Sequence, residues 1–91
     1  MAILVDAANW PWRDRLWCHL VSDTNLDELH AFARWLGVPA RGFQGDHYDI
    51  PEHLRAIAIE EGAQVVSSRA LVEALYSAGL RVKPRSVMPA R

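Results

Sequence analysis

Residues 43–66, Phe-Gln-Gly-Asp-His-Tyr-Asp-Ile-Pro-Glu-His-Leu-Arg-Ala-Ile-Ala-Ile-Glu-Glu-Gly-Ala-Gln-Val-Val, decide the fold. Residues 40–50 read as extended backbone. Pro51 sits where the first position of a helix tolerates a missing N–H, with Asp49 as the cap. Leu54, Ile57 and Ala58 then share a face of a helix over 51–61, which Gly62 ends. Gln64–Val66 follows as a strand. A single short helix between two strands joins parallel neighbours in a right-handed sense.

Working outward, Ala2–Val5 is a short apolar run ended by Asp6 and reads as a buried strand. Residues 6–16 form a loop broken by Pro11. Trp17–Val21 is a second strand, stopped by Ser22-Asp23-Thr24. Thr24 with Asp27 three residues on resembles a capping box. Leu26, Leu29, Phe32, Ala33 and Leu36 mark a helix over 25–36, with Gly37 as its terminator and Pro39 preventing continuation. Trp35 falls off that apolar face. Ser67 caps a third helix over 68–78, on the stripe Leu71, Ala74, Leu75 and Ala78, closed by Gly79. Leu80–Val82 is expected as a last edge strand. The alternation predicts an α/β protein: one small domain over 1–83, in two or three layers, with three helices and a short, mostly parallel sheet. Residues 84–91 are expected to be a flexible basic tail.

Ninety-one residues make one domain with a modest core, and 51% hydrophobic residues exclude disorder. A net charge of −1 argues against bulk electrostatic binding to nucleic acid or membrane. The charge is uneven, with Arg81, Lys83, Arg85 and Arg91 unopposed after residue 80. Such a tail can touch phosphate or simply be solvated. The single cysteine, Cys18, rules out an internal disulfide, so a reducing, cytoplasmic setting is expected. The opening Met-Ala-Ile-Leu-Val-Asp has no basic segment and no long apolar core, so no secretory leader is expected. No apolar run is long enough for a membrane helix.

The chemistry concentrates in two places. Gln44-Gly45-Asp46-His47-Tyr48-Asp49 carries an amide, carboxylates, an imidazole and a phenol that no strand needs for stability. Trp17-Cys18-His19 is the second. His47 and Asp49 alternate along extended backbone and share a face, with Asp46 and Tyr48 on the other. With His19 and Asp6 from neighbouring strand ends they make a two-His, two-carboxylate set suited to a divalent ion such as Zn²⁺, Mn²⁺ or Mg²⁺. The structural alternative is a histidine hydrogen-bonded to an aspartate, tying two loops together. Asp6 itself can be a turn residue leaving its strand. Trp10-Pro11-Trp12-Arg13-Asp14-Arg15 can stack a base and grip a phosphate, or plug the open side of a small core. Four tryptophans also suit a contact surface, including one between copies of the chain. Cys18 lacks an oxyanion-hole signature and diverges from His19 along a strand, which counts against a nucleophile. Ser67-Ser68 can hold an anion or merely cap. His30 and His53 read as ordinary helix residues.

Val5-Asp6-Ala7-Ala8-Asn9 resembles the opening strand of PIN-like metal-dependent ribonucleases, which implies Mg²⁺ or Mn²⁺ ligation by Asp6; those domains are longer and carry further acids. A broader resemblance rests on the Val-Asp start, Cys18-His19, Asp23-Thr24 before Glu28-Leu29-His30, Gly37-Val38, Phe43 through Ile50, and Gly62-Ala63. It is to a family of short bacterial and phage-encoded proteins classed as a domain of unknown function. The likeness covers roughly residues 1–80. It implies a bacterial cytosolic setting and marks His19, His47, Tyr48 and Asp49 as motif positions.

Two functions compete. The residues favour a binding domain in which Arg13, His19, Gln44, His47, Tyr48 and Asp49 line a cleft for a small anionic or nucleotide-like ligand, or a protein partner, without turnover. The alternative is a metal-dependent hydrolase, a phosphoesterase or nuclease, with Asp6, His19, His47 and Asp49 holding the ion and Tyr48 or Asp46 assisting proton transfer.

Overall fold

The computed structural model describes residues 2–82. β1 (Ile3–Val5) is buried throughout its length. β2 (Trp10–Trp12) and β3 (Arg15–Ser22) form an antiparallel hairpin with Trp12 opposite Arg15. Arg13 and Asp14 make its two-residue turn, with φ of 50° and 60°. Two successive positive-φ residues give the mirror-image turn whose twist matches the flanking strands. The chain continues through α1 (Leu26–Leu36), a 3₁₀ turn (Ala40–Gly42), β4 (Tyr48–Pro51), α2 (Glu52–Glu60), β5 (Gln64–Val65) and α3 (Ser68–Ser77).

β3 is the hub of the sheet. Leu20 pairs with Val5 on one side and Tyr48 on the other; Trp17 likewise lies between Trp10 and Pro51. β1 and β2 therefore share one edge of β3, and β4 holds the other. β5 runs parallel to β1 on its far side. The α/β class and the three helices are as the sequence predicts. The sheet is mixed rather than mostly parallel, with three antiparallel ladders and one parallel. The cause lies in residues 6–16, read from sequence as a loop. They contain β2, and the tight turn at Arg13-Asp14 sends β3 straight back. The helix after β4 links strands of the same direction, but these are the two outer strands, with β3 and β1 between them. Leu80–Val82 forms no strand. The expected tail, 84–91, lies outside the described residues.

Strand alternation sorts side chains onto two faces. Ile3, Val5, Cys18, Leu20, Tyr48 and Ile50 pack against Leu29 and Ala33 of α1 and Ala58 of α2. Leu4 and Val21 pack on the other face against Leu71 and Leu75 of α3. The result is three layers. The second face is only half covered, because α3 reaches the Leu4–Val21 end alone. The other half carries Trp17, His19 and Asp49.

Helix ends follow local chemistry, with two differences from the sequence reading. Asn25, not Thr24, caps α1, accepting from the Glu28 N–H at 2.8 Å. Ser67 caps α3 as expected, accepting from the Ala70 N–H. Asp49 does not cap α2; Pro51 occupies that position without a side-chain bond. The strand simply runs on to Pro51, which keeps Asp49 in the ladder opposite His19.

Leu20 is fully buried beneath two helices. Leu20→Ala is expected to cost about 2–5 kcal/mol in urea denaturation, and Asn25→Ala about 1 kcal/mol through its lost cap.

Candidate metal centre

Register creates the site. His19 and Asp49 are directly opposed across the β3–β4 ladder, so their side chains rise side by side from the uncovered face. His47 precedes β4 in a turn. Its carbonyl accepts from the Gln44 N–H at 2.8 Å, and Gly45 takes a φ of 89° that other residues rarely adopt. The turn lays the His47 ring edge-on to His19, with centroids 5.2 Å apart. One donor atom from each of His19, His47 and Asp49 lies within 4.8 Å of the other two.

A carboxylate backs each imidazole. Asp6, only 1% exposed, leaves the end of β1 and reaches across to β3. Its Oδ1 accepts from the His19 backbone N–H at 2.7 Å. Its Oδ2 meets His19 Nδ1 at 2.7 Å and accepts from the Ser68 hydroxyl at 2.7 Å. Arg55 Nε fixes the same residue by donating to the Asp6 carbonyl. On the other ring, Asp46 Oδ1 meets His47 Nδ1 at 2.8 Å. Asp46 is in turn gripped by the Arg81 fork, at 2.7 Å from Nε and 3.0 Å from Nη2.

These partners fix the tautomers. An ionised carboxylate accepts only, so in each neutral ring Nδ1 carries the proton and Nε2 keeps its lone pair. His47 Nε2 then stands 3.3 Å from Asp49 Oδ1, an oxygen that is shielded from solvent and accepts no hydrogen bond. In the neutral ring a lone pair thus faces a carboxylate oxygen. A cation between them resolves that conflict. Donors around a tetrahedral ion at about 2.1 Å are separated by about 3.4 Å, close to the 3.3 Å between His47 Nε2 and Asp49 Oδ1.

Burial pushes the Asp6 carboxyl up, but hydrogen bonds from the His19 amide and ring and from Ser68 outweigh it and hold it below its ordinary range. The Arg81 fork does the same for Asp46. Burial pushes the Cys18 thiol up to about 12, which leaves no reactive thiolate.

Asp6, His19, His47 and Asp49 therefore come together. Tyr48 does not. Alternation turns it to the opposite face, where it is 2% exposed and its hydroxyl meets His30 Nδ1 at 2.7 Å. Arg13 stays at the hairpin turn with its guanidinium over the Trp12 ring. Gln44 lines a neighbouring cleft of about 620 Å³ together with Asp49 and Trp10, Trp12 and Trp17. Sequence reasoning missed Asp46, Arg55, Ser68 and Arg81 as supports. Asp46 was readable from its adjacency to His47, once Gly45 is taken as a turn rather than strand. Ser68 reads as a helix-start residue, Arg81 as tail charge, and Arg55 carries no local signal.

Both depressed carboxylates stabilise the fold fully above their unfolded pKa, and that contribution is lost as pH falls through the lower folded value. Arg81→Ala is expected to lower stability at neutral pH by about 1 kcal/mol, discounted for partial exposure. The gap to the unaltered chain should close only below about pH 4 in pH-dependent urea melts.

No curated protein and no solved structure matches the chain. A family match spans residues 3–78, most of the sequence and all of the proposed ligands, and the chain thus belongs to the family described as Protein of unknown function (DUF4031).

Proposed function

We propose that this domain holds a divalent transition-metal ion on His19, His47 and Asp49 and uses it for hydrolysis. The observation that carries the reading is the pairing of each imidazole Nδ1 with a carboxylate, in a cluster where one donor atom from each of His19, His47 and Asp49 lies within 4.8 Å of the other two and His47 Nε2 stands 3.3 Å from Asp49 Oδ1. Carboxylate–histidine support of this kind orients the rings of metal ligands and raises their basicity. Three protein donors leave coordination positions open, as hydrolytic centres require. A bound ion would supply an acidified water and a Lewis acid. Asp49 has a second oxygen able to accept a proton. Tyr48 is on the wrong face for that task, and Asp46 is committed to Arg81 and His47, so neither takes the proton-transfer role expected from sequence. Asp6 acts behind His19 rather than as a ligand, since both its oxygens are already engaged.

Ligand binding without turnover is the second reading. The cleft beside Asp49 favours it, because its volume falls within the ~300–1,000 Å³ of small-ligand sites.

Calorimetric titration of metal-stripped protein with Zn²⁺ and Mn²⁺ tests the centre. One equivalent should bind, with binding abolished in His19→Ala and His47→Ala and weakened about 10- to 100-fold in Asp6→Asn. Equal affinity in Asp49→Asn, or no binding by folded protein, would overturn it. Metal-dependent cleavage of a chromogenic phosphodiester separates the hydrolase from the second reading, which predicts a loaded but inert protein.

A further inference from the structure

The uncovered half of the sheet carries more than the three donors. Rings follow one another across it without a gap. Trp12 and Trp17 have centroids 5.3 Å apart, Trp17 and Trp10 5.9 Å, Trp10 and His19 6.1 Å, and His19 and His47 5.2 Å. The cross-strand pairing of Trp10 with Trp17 sets this row, and the Trp17 indole N–H fixes it by donating to the Trp12 carbonyl at 2.8 Å. Arg13 closes the outer end, 4.6 Å over the Trp12 ring. Trp12 is 51% exposed, although a tryptophan serving only as core would be covered. The Trp10 indole N–H is shielded from solvent and has no acceptor. The three indoles and Asp49 border the same cleft, whose lining also includes Arg41.

We infer that this row is a track for single-stranded nucleic acid, leading its backbone to the candidate metal centre. The inference deepens the proposed function by naming the substrate class of that site. Flat apolar rings accept any base by stacking. Arg13 and Arg41 supply guanidinium groups for phosphate, at the outer end and along the cleft. One nucleotide needs one ring, whereas this surface aligns three indoles and then two imidazoles, a length that suits successive residues of a strand. Duplex cannot use it, since its bases are already stacked on each other. With a net charge of −1 the chain has no broad basic field, so stacking carries the binding. Two phosphate contacts give a salt slope near −1.4, using the roughly −0.7 per contact of single strands.

Binding of a labelled short oligothymidylate to the full chain in EDTA, followed by anisotropy, tests the track without cleavage. Trp12→Ala should weaken binding about tenfold, and Arg13→Ala should flatten the salt dependence. Both variants should keep the zinc stoichiometry of the unaltered chain; Trp12 is half exposed, so its truncation spares the core. Equal binding of the matching duplex, equal binding of thymidine monophosphate, or an unchanged Trp12→Ala affinity would overturn the inference. Strand binding that persists in a chain unable to take up zinc would leave the track standing and remove the metal centre alone.

Discussion

The Asp6 carboxylate is the joint on which this molecule depends. It stands at the end of β1 and binds the backbone and ring of His19 on β3 and the hydroxyl of Ser68 at the start of α3, while the Asp6 carbonyl receives Arg55 from α2. Four elements meet at one nearly inaccessible residue. A buried charge is costly unless its hydrogen-bonding capacity is filled. Here three donors converge on two oxygens, and their combined effect outweighs burial. The same bonds that stabilise the charge also hold the His19 ring in one orientation and one tautomer. Structural cohesion and chemical readiness are thus the same set of contacts.

A second support of the same form stands across the site. Arg81, Asp46 and His47 make a chain of charge-assisted bonds, in which a rigid fork fixes a carboxylate and the carboxylate fixes an imidazole. The two assemblies come from strands on opposite sides of β3 and leave their rings nearly perpendicular, at 73°. Asp49 lies between them with one oxygen unbonded. The polarity of the centre therefore arises from what surrounds the ligands as much as from the ligands.

Much of this was legible in the sequence where local rules operate. The apolar stripes of α1 and α3, the Ser67 cap and the period-two placement of His47 with Asp49 are short-range patterns, and the folded chain follows them. The hairpin was not legible. Its turn has Arg13 and Asp14 at positive φ, where Asn-Gly or Asp-Gly is the usual sign, and Pro11 argues against a strand. Pro11 is tolerated because β2 lies beyond the end of β1 and, among the described residues, pairs with β3 alone. Missing that hairpin reversed the direction of β3 and made the sheet seem parallel. Tyr48 was misplaced for a different reason. Alternation did put it opposite His47, but the sequence cannot say which face is core. His30, read as an ordinary helix residue, is what satisfies its hydroxyl. Arg81 bonds a residue 35 positions away, a distance at which no sequence rule acts.

The parallel pairing of β1 with β5 has a kinetic consequence. It joins residues 4–5 to 64–65 and closes a loop of about sixty positions, whereas the hairpin and the β3–β4 ladder join nearer segments. Loop-closure entropy delays distant pairings relative to local ones. The Ser68 hydroxyl and the Arg81 fork lie beyond β5, so they arrive with or after that step. During folding, His19 and His47 would meet early on a half-built sheet beside Asp6 and Asp46, and those two carboxylates would gain Ser68 and Arg81 only when the final helix docks. The supports behind both imidazoles are therefore completed only in the finished chain.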